Sequence, residues 1–500
     1  MNTNTEIHQK SIFGHPAGLF VLFFTEIWER FSYYGMRAIL VLYLVSETSV
    51  ENPGMGWSES SAIALYGWYT MFVYLATIPG GILADRFLGQ RKSVMVGGLL
   101  LCFGHGILAV EALWAFYTGL TFIVLGVGCL KGNISTMVGG LYNKEDSDHR
   151  DMGFYIFYMG INIGAAVSAI VVGYIGEVYN WHYGFGLAGI GMAIGQIGYW
   201  KGQKYLSHVG NLIELESSNE GKSENLFLQI FKKSNSLLGF SLTALLGLYV
   251  GYSGDWNYGF LIIAVAFAVG FGIVVYNDGN KVEKDRILVT YLAFLIVIVF
   301  WGAFEQAGGL MNLYASQKTD LSLGSFMVPA SWFQSVNAIF ILIFATSVGS
   351  FWIWWKKRGY EYSSLFKMAL GVIIMGFGFF FMSMASSEVV YDSTGEITKK
   401  SAMYWLVLAY LFHTIGELCA SPVALSFITK LSPARWGAFM MGAYFAATGL
   451  GNKVAGLIGE NASEAGDFQT FTGITIFCSI FGVLVILILK PLKRLTHNAE

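Results

Sequence analysis

Long apolar runs of transmembrane length recur along the chain, separated by short polar turns, and each is long enough to cross a bilayer as a helix. They predict fourteen spans at about 17–45, 59–84, 92–111, 114–138, 152–176, 182–201, 236–254, 256–277, 286–314, 330–354, 364–386, 402–429, 437–459 and 469–490. No cleavage site precedes the first span, so it is expected to stay in the mature protein. The longest polar stretch, 202–235, separates six spans from eight and carries the linker-like Ser217–Ser218–Asn219–Glu220–Gly221–Lys222.

Composition agrees with the pattern. Hydrophobic residues make up 55% and charged residues 12%, too few charges to cover a soluble surface of 500 residues. A formal net charge of −2 supplies no basic face for nucleic acid. Cys102, Cys129, Cys419 and Cys478 lie singly in apolar runs, without metal-ligand or disulfide spacing. Placing the N-terminus inside puts most Lys and Arg in cytoplasmic turns, among them Arg91, Lys92, Lys201, Lys356, Lys357, Arg358 and Arg435. Only Lys318, Lys399 and Lys400 fall outside. Both termini are therefore expected in the cytoplasm.

Six spans, a linker, a hairpin pair and six more suggest two six-helix halves with two inserted helices, the plan of major facilitator transporters. The expected divisions are 1–201 for the N-terminal bundle, 202–235 for a cytoplasmic linker, 236–280 for the inserted hairpin and 281–500 for the C-terminal bundle.

Charged residues inside the spans are the informative exceptions, each costing at least ~2.5–3.5 kcal/mol at a helix centre. They are Glu26, Glu29, Arg30, Arg37, Lys131, Glu305, Glu417 and Lys453. Four acids and four bases allow complete pairing. Structural ion pairs that set helix register account for some of them, but so large a set exceeds what helix cohesion needs. Glu26, Arg30, Tyr33 and Arg37 share one helical stripe, which must face a polar cavity or partner helices. A carboxylate balanced between desolvation and a neighbouring arginine is suited to taking and releasing a proton. His105 and His413 also lie in spans, where a neutral structural role is at least as well motivated as proton relay. Pro422 frees a backbone carbonyl and is a candidate hinge.

Several strings are more specific. Gly80-Gly81-Ile82-Leu83-Ala84-Asp85-Arg86-Phe87-Leu88-Gly89-Gln90-Arg91-Lys92 resembles the loop signature of the major facilitator superfamily, with Asp85 and Arg86 as a candidate charge lock. Glu26-Ile27-Trp28-Glu29-Arg30-Phe31 resembles the E-x-x-E-R-F motif of the proton-coupled oligopeptide transporter family, a branch of that superfamily. Phe154-Tyr155-Ile156-Phe157-Tyr158-Met159-Gly160-Ile161-Asn162-Ile163-Gly164 is similar to its F-Y-x-x-I-N-x-G string. Phe300-Trp301-Gly302-Ala303-Phe304-Glu305-Gln306 and Gly416-Glu417 with Ser421–Pro422 resemble its seventh and tenth core helices. The extra helix pair is similar to that of bacterial members.

The resemblance implies an all-α integral membrane protein with the major facilitator fold, no enzymatic activity, and proton-driven uptake of di- and tripeptides by alternating access. It implies proton coupling by Glu26, Glu29, Arg30 and Glu305. It places Arg37, Tyr33, Tyr34, Tyr69, Tyr74, Lys131, Asn162, Trp301, Asn337, Glu417 and Ser421 in the peptide site. Arg37 and Lys131 would face Glu305 and Glu417 across the halves and form salt bridges that gate access. Gly132, Ala165–Ala166 and Tyr444 depart from the family pattern, Tyr444 standing where tryptophan is usual. No cofactor or metal is expected; protons, peptides and the lipid bilayer are the expected partners of a monomer in the plasma or inner membrane. The alternative is a proton symporter of another small charged solute, such as nitrate or an amino-acid conjugate. A membrane enzyme would need a nucleophile with an adjacent base or a metal cluster, and the intramembrane polar residues supply neither. A non-transporting peptide sensor is disfavoured by the intact Glu26–Glu29–Arg30 group.

Overall fold

A computed structural model describes residues 10–143, 146–212, 232, 234–497 and 499. Most of the expected linker, including Ser217–Lys222, lies outside the described residues, as do Lys144 and Lys233.

Every predicted span is a helix. In chain order these are α1 (Ala17–Val45), α2 (Glu59–Leu75) with its continuation α3 (Thr77–Leu83), α4 (Gln90–Leu108), α5 (Leu113–Gly140), α6 (Ser147–Val178) and α7 (Trp181–Lys201). Then follow α8 (Ser234–Ser253), α9 (Trp256–Asp278), α10 (Lys281–Phe304) with α11 (Leu310–Lys318), α12 (Phe333–Lys357), α13 (Ser364–Glu388), α14 (Tyr404–Leu431), α15 (Gly437–Ala465) and α16 (Asp467–Leu487). Ten of these runs are long and apolar enough to cross a membrane by length and composition. α1, α4, α7 and α15 are not among them; α1 carries four charged residues, Glu26, Glu29, Arg30 and Arg37.

Two boundaries carry local chemistry. The Ala84–Leu88 turn after α3 is a π-helix that stops at Gly89, whose φ of 75° favours glycine. A side chain there would also run into the backbone of Gly210–Leu212, where the Arg91 N–H donates to the Gly210 carbonyl at 2.9 Å. The expected span 286–314 is broken: α10 ends at Phe304, Glu305–Ala307 form a 3-10 turn, and Gly308–Gly309 precede α11. The break falls at the span's one charged residue of functional interest.

The chain forms two compact units, with described residues drawn from Met1–Ile213, Ile296–Val423 and Phe445–Ile486 in one, and Glu214–Leu295, Ala424–Tyr444 and Leu487–Glu500 in the other. In the first, α1 packs on α6 and α7, and α4 packs on α5. Glycines allow the closest crossings. A side chain at Gly164 would strike the Ile27 carbonyl and the Arg30 Cβ, so the F-Y-x-x-I-N-x-G string seats α6 against the charged turn of α1. The second unit contains the inserted pair α8–α9, which cross at Gly247, Gly251 and Gly259. Its Arg435 donates to Asp278 and Glu283, each at 2.8 Å, while Arg286 donates to the Thr496 carbonyl at 3.0 Å.

Candidate transport site

The site lies within the first unit and begins on α1. Arg30 donates through Nε to Glu29 and lies 3.2 Å from Glu26 Oε1. All three side chains are buried, with relative exposures of 3% for Glu26, 0% for Glu29 and 3% for Arg30. Helical spacing brings Glu26 and Arg30 together because residues four apart share a face. The Arg30 guanidinium also lies 5.6 Å from the Tyr33 ring and 5.7 Å from the Tyr34 ring. One arginine thus serves two carboxylates, leaving Glu26 Oε2 and Glu29 Oε1 buried without hydrogen-bond partners among the described residues.

Two turns further, Arg37 Nη1 donates to both Glu305 oxygens at 3.1 Å. The Tyr66 hydroxyl donates to Glu305 Oε2 at 2.8 Å. Gly308 makes room for that hydroxyl, since any side chain there would collide with it. Next to this pair, Asn312 Nδ2 and Gln334 Nε2 both donate to the Ala38 carbonyl, at 2.8 and 3.3 Å. Residues before and after the linker are therefore joined around Arg37 by an ion pair and by neutral bonds.

Glu417 takes a different partner. Its Oε2 accepts from Asn337 Nδ2 at 2.9 Å, and the same amide donates to Thr414 Oγ1 at 3.1 Å. Lys131 does not reach it. The Lys131 ammonium lies 3.7 Å from the centre of the Tyr74 ring, a cation–π contact, and has no ion-pair partner among the described residues. Of the two expected cross-half bridges, this conformation contains Arg37–Glu305 and not Lys131–Glu417.

The remaining expected residues are distributed as follows. Tyr33 and Tyr69 are buried, and Tyr34 lies beneath the Arg37 guanidinium at 5.0 Å. Asn162 is buried and donates to the Tyr158 carbonyl of its own helix at 3.0 Å. Trp301 is half-buried against Phe304, with ring centres 5.2 Å apart, and Ser421 is half-buried one turn beyond Glu417. Asp85 and Arg86 are exposed on the π-turn, and no ion pair joins Asp85 to Arg86 or Arg91 among the described residues. Gly132 has open space where a side chain would stand, so packing does not require glycine at that departure from the family pattern.

Three features were not anticipated from the sequence. Tyr66 joins the Arg37–Glu305 pair; its place on α2 three residues before Tyr69 was the available signal. Glu177 accepts the Ala330 N–H at 3.0 Å and the Ser331 N–H at 2.9 Å, capping the turn that leads into α12. Beside it, the Trp332 indole donates to the Ile170 carbonyl at 3.0 Å. Lys453 is wholly buried, 2.8 Å from Glu460 Oε1 and 4.8 Å from the Trp68 ring. His105 and His413 are buried with no hydrogen-bond partner at either ring nitrogen among the described residues. No group of three or more potential metal ligands occurs among those residues.

Many apolar helices around a buried row of charges, with paired residues from before and after the linker, define a polytopic membrane transporter of the major facilitator fold. The chain belongs to the POT family, whose model matches residues 91–472. It is 34% identical to the peptide transporter YePEPT of Yersinia enterocolitica subsp. palearctica serotype O:3 (strain YE-P4), over 98% of this chain and 97% of that one. It is 38% identical to the uncharacterized transporter YclF of Bacillus subtilis (strain 168), over 98% and 96%. Among solved structures, a peptide transporter POT in complex with sulfate superposes with a TM-score of 0.83 at 33% identity, covering 99% of each chain. A POT family transporter in complex with 5-aminolevulinic acid superposes with a TM-score of 0.82 at 28% identity, covering 98% of this chain and all of that one.

Proposed function

We propose that the protein takes up di- and tripeptides together with protons by alternating access, as a monomer in the cell membrane with both termini in the cytoplasm. The observation that carries this reading is the separation of charge partners. Arg37 is held by Glu305, Glu417 accepts a hydrogen bond from the neutral Asn337, and Lys131 rests on a tyrosine ring. A zwitterionic peptide supplies what those groups lack: an ammonium for Glu417 and a carboxylate for Lys131. Asn162 and Asn337 are amide partners for the peptide backbone, while Tyr33, Tyr34, Tyr69, Tyr74, Trp301 and Ser421 border the space for its side chains. Relatives named as peptide transporters support the same substrate class.

Coupling follows from Glu26, Glu29 and Arg30. Protonating either buried carboxylate leaves Arg30 to a single partner, so proton occupancy alters the charge balance of α1. Glu305 is the second coupling carboxylate, since a proton on it weakens its hold on Arg37. With the termini inside, Arg37 lies in the outer half of α1, and its bridge to Glu305 acts as the gate on that side. One proton crossing a ~100 mV potential contributes about 2.3 kcal/mol, and one pH unit adds roughly 1.4 kcal/mol. Together they support accumulation on the order of a few hundred-fold.

A second reading is symport of another small charged solute, such as nitrate or an amino-acid conjugate. The structural neighbour holding 5-aminolevulinic acid, a small amino acid, favours keeping it. Uptake of a radiolabelled dipeptide into proteoliposomes under an acid-outside, inside-negative gradient separates the two. Concentrative uptake that a protonophore abolishes and excess free amino acid leaves intact is the expected result. Uptake of 5-aminolevulinic acid without dipeptide uptake selects the second reading.

A further inference from the structure

The end of α12 and the short turn before α13 gather three consecutive cations among aromatic residues. The last turns of α12 read Phe351-Trp352-Ile353-Trp354-Trp355-Lys356-Lys357 and the turn continues Arg358-Gly359-Tyr360-Glu361-Tyr362, with Lys367 one turn into α13. Some cations at other turns and helix ends meet carboxylates: Arg435 is held by Asp278 and Glu283, Lys399 by Glu388, and Lys318 by Asp467. Here Lys356, Lys357 and Arg358 have no carboxylate partner among the described residues.

Aromatic rings lie beside two of them instead, Lys356 and Arg358. Lys356 lies 4.7 Å from the Tyr362 ring and Arg358 4.8 Å from Trp354, while Lys367 lies 5.3 Å from Trp352. The frame itself is tied down, with Trp355 packed on Tyr360 at 4.7 Å and its indole donating to the Glu361 carbonyl at 2.7 Å. A ring face restricts a cation without neutralising it, so ammonium and guanidinium N–H groups stay available to an incoming anion.

The adjoining surface is apolar. Only 17% of the most apolar stretch of α12 is buried within the protein, against 61% for α13. Phe351, Ile353 and Trp354 are exposed beside the basic turn. Unquenched cations at the end of an outward-facing apolar helix match a ligand with an anionic head and hydrocarbon tails. We propose that this turn binds the headgroup of an anionic phospholipid, with Lys356, Lys357 and Arg358 on the phosphate and the acyl chains along Phe351 and Trp354. The proposal does not depend on which solute is transported.

Native mass spectrometry of the full-length protein tests it, with phosphatidylglycerol or phosphatidylcholine titrated into the detergent. Phosphatidylglycerol should be retained in preference to phosphatidylcholine. Each interfacial cation contributes about fivefold to anionic-lipid affinity, so combined Lys356→Gln, Lys357→Gln and Arg358→Gln should weaken phosphatidylglycerol retention on the order of a hundredfold. Phosphatidylcholine retention should not change. Undiminished retention of phosphatidylglycerol by that variant overturns the proposal. Displacement of the lipid by excess inorganic phosphate also overturns it, identifying a site for free anions. If the combined variant fails to fold, Lys357→Gln alone should show the single-cation loss, and its absence rejects the assignment.

Discussion

The charged turn of α1 and the cluster around Glu305 are both buried and both built on one arginine, yet they are assembled differently. Glu26, Glu29 and Arg30 lie within five residues, and helical geometry alone brings them together. Arg37, Tyr66 and Glu305 are far apart in sequence, and only the packing of α1, α2 and the broken α10–α11 segment joins them. The first cluster exists whenever α1 is helical. The second exists only while residues from before and after the linker are in contact. The first pairing is therefore set by α1 alone, and the second by contact between segments far apart in the chain.

Mutations can break that contrast at different depths. The largest effect is expected for Arg30→Met, which leaves Glu26 and Glu29 buried with no cation between them. Removing one member of a buried charge group costs about 3–5 kcal/mol, so detergent-solubilised protein should melt far earlier and transport should be lost. Arg30→Met protein with an unchanged melting midpoint would refute the local cluster as a structural unit. Next comes Glu305→Gln, which removes the charge from Arg37 without removing bulk. Uphill uptake should fall at least about tenfold, as expected for loss of 1.4 kcal/mol or more, while α1 keeps its local pairing. Ser335 lies on α12 and is only 1% exposed, so labelling of a cysteine placed there by a membrane-impermeant maleimide should rise in that variant, the native cysteines setting the background; unchanged labelling excludes gating by this bridge.

Smaller effects are expected where the charge has neutral partners. Glu417→Ala should weaken binding of peptides with a free N-terminus about tenfold, in line with a charged hydrogen bond of ~1.5–3 kcal/mol, and should spare N-acetylated peptides. Equal losses for both would contradict the ammonium assignment. Glu177→Gln keeps a hydrogen-bond acceptor but loses the charge that caps the turn before α12. It should cost only about 0.3–1 kcal/mol, read as a two- to fivefold rise in the same Ser335 labelling. No rise would leave Glu177 as a local cap with no part in closure.

Glu26, Glu29, Arg30, Arg37, Glu305 and Glu417 are legible in the amino-acid sequence, because ionisable residues in apolar runs stand out by their cost. Their partners are legible only in part. The i,i+4 spacing assigns Arg30 to Glu26, but nothing in the sequence brings Tyr66 to Glu305 or Glu177 to the backbone of Ala330. The double glycine at Gly308–Gly309 is a visible signal for a helix break, yet the apolar run through 286–314 predicts one continuous span. Lys131 is expected to cross to Glu417. Instead its flexible side chain lies on the Tyr74 ring, which an apolar pattern shows only as one more aromatic position.

Helical class, the location of the intramembrane charges and the family were all determined by the sequence itself. These are local or compositional properties: a charge inside an apolar run is visible without knowing what the run packs against. Tertiary structure decided which charges pair, where α10 breaks, and which polar groups join residues before and after the linker. Those outcomes depend on distances between segments hundreds of residues apart. A buried charge declares that it needs a partner, and only the folded chain supplies one within about 3 Å.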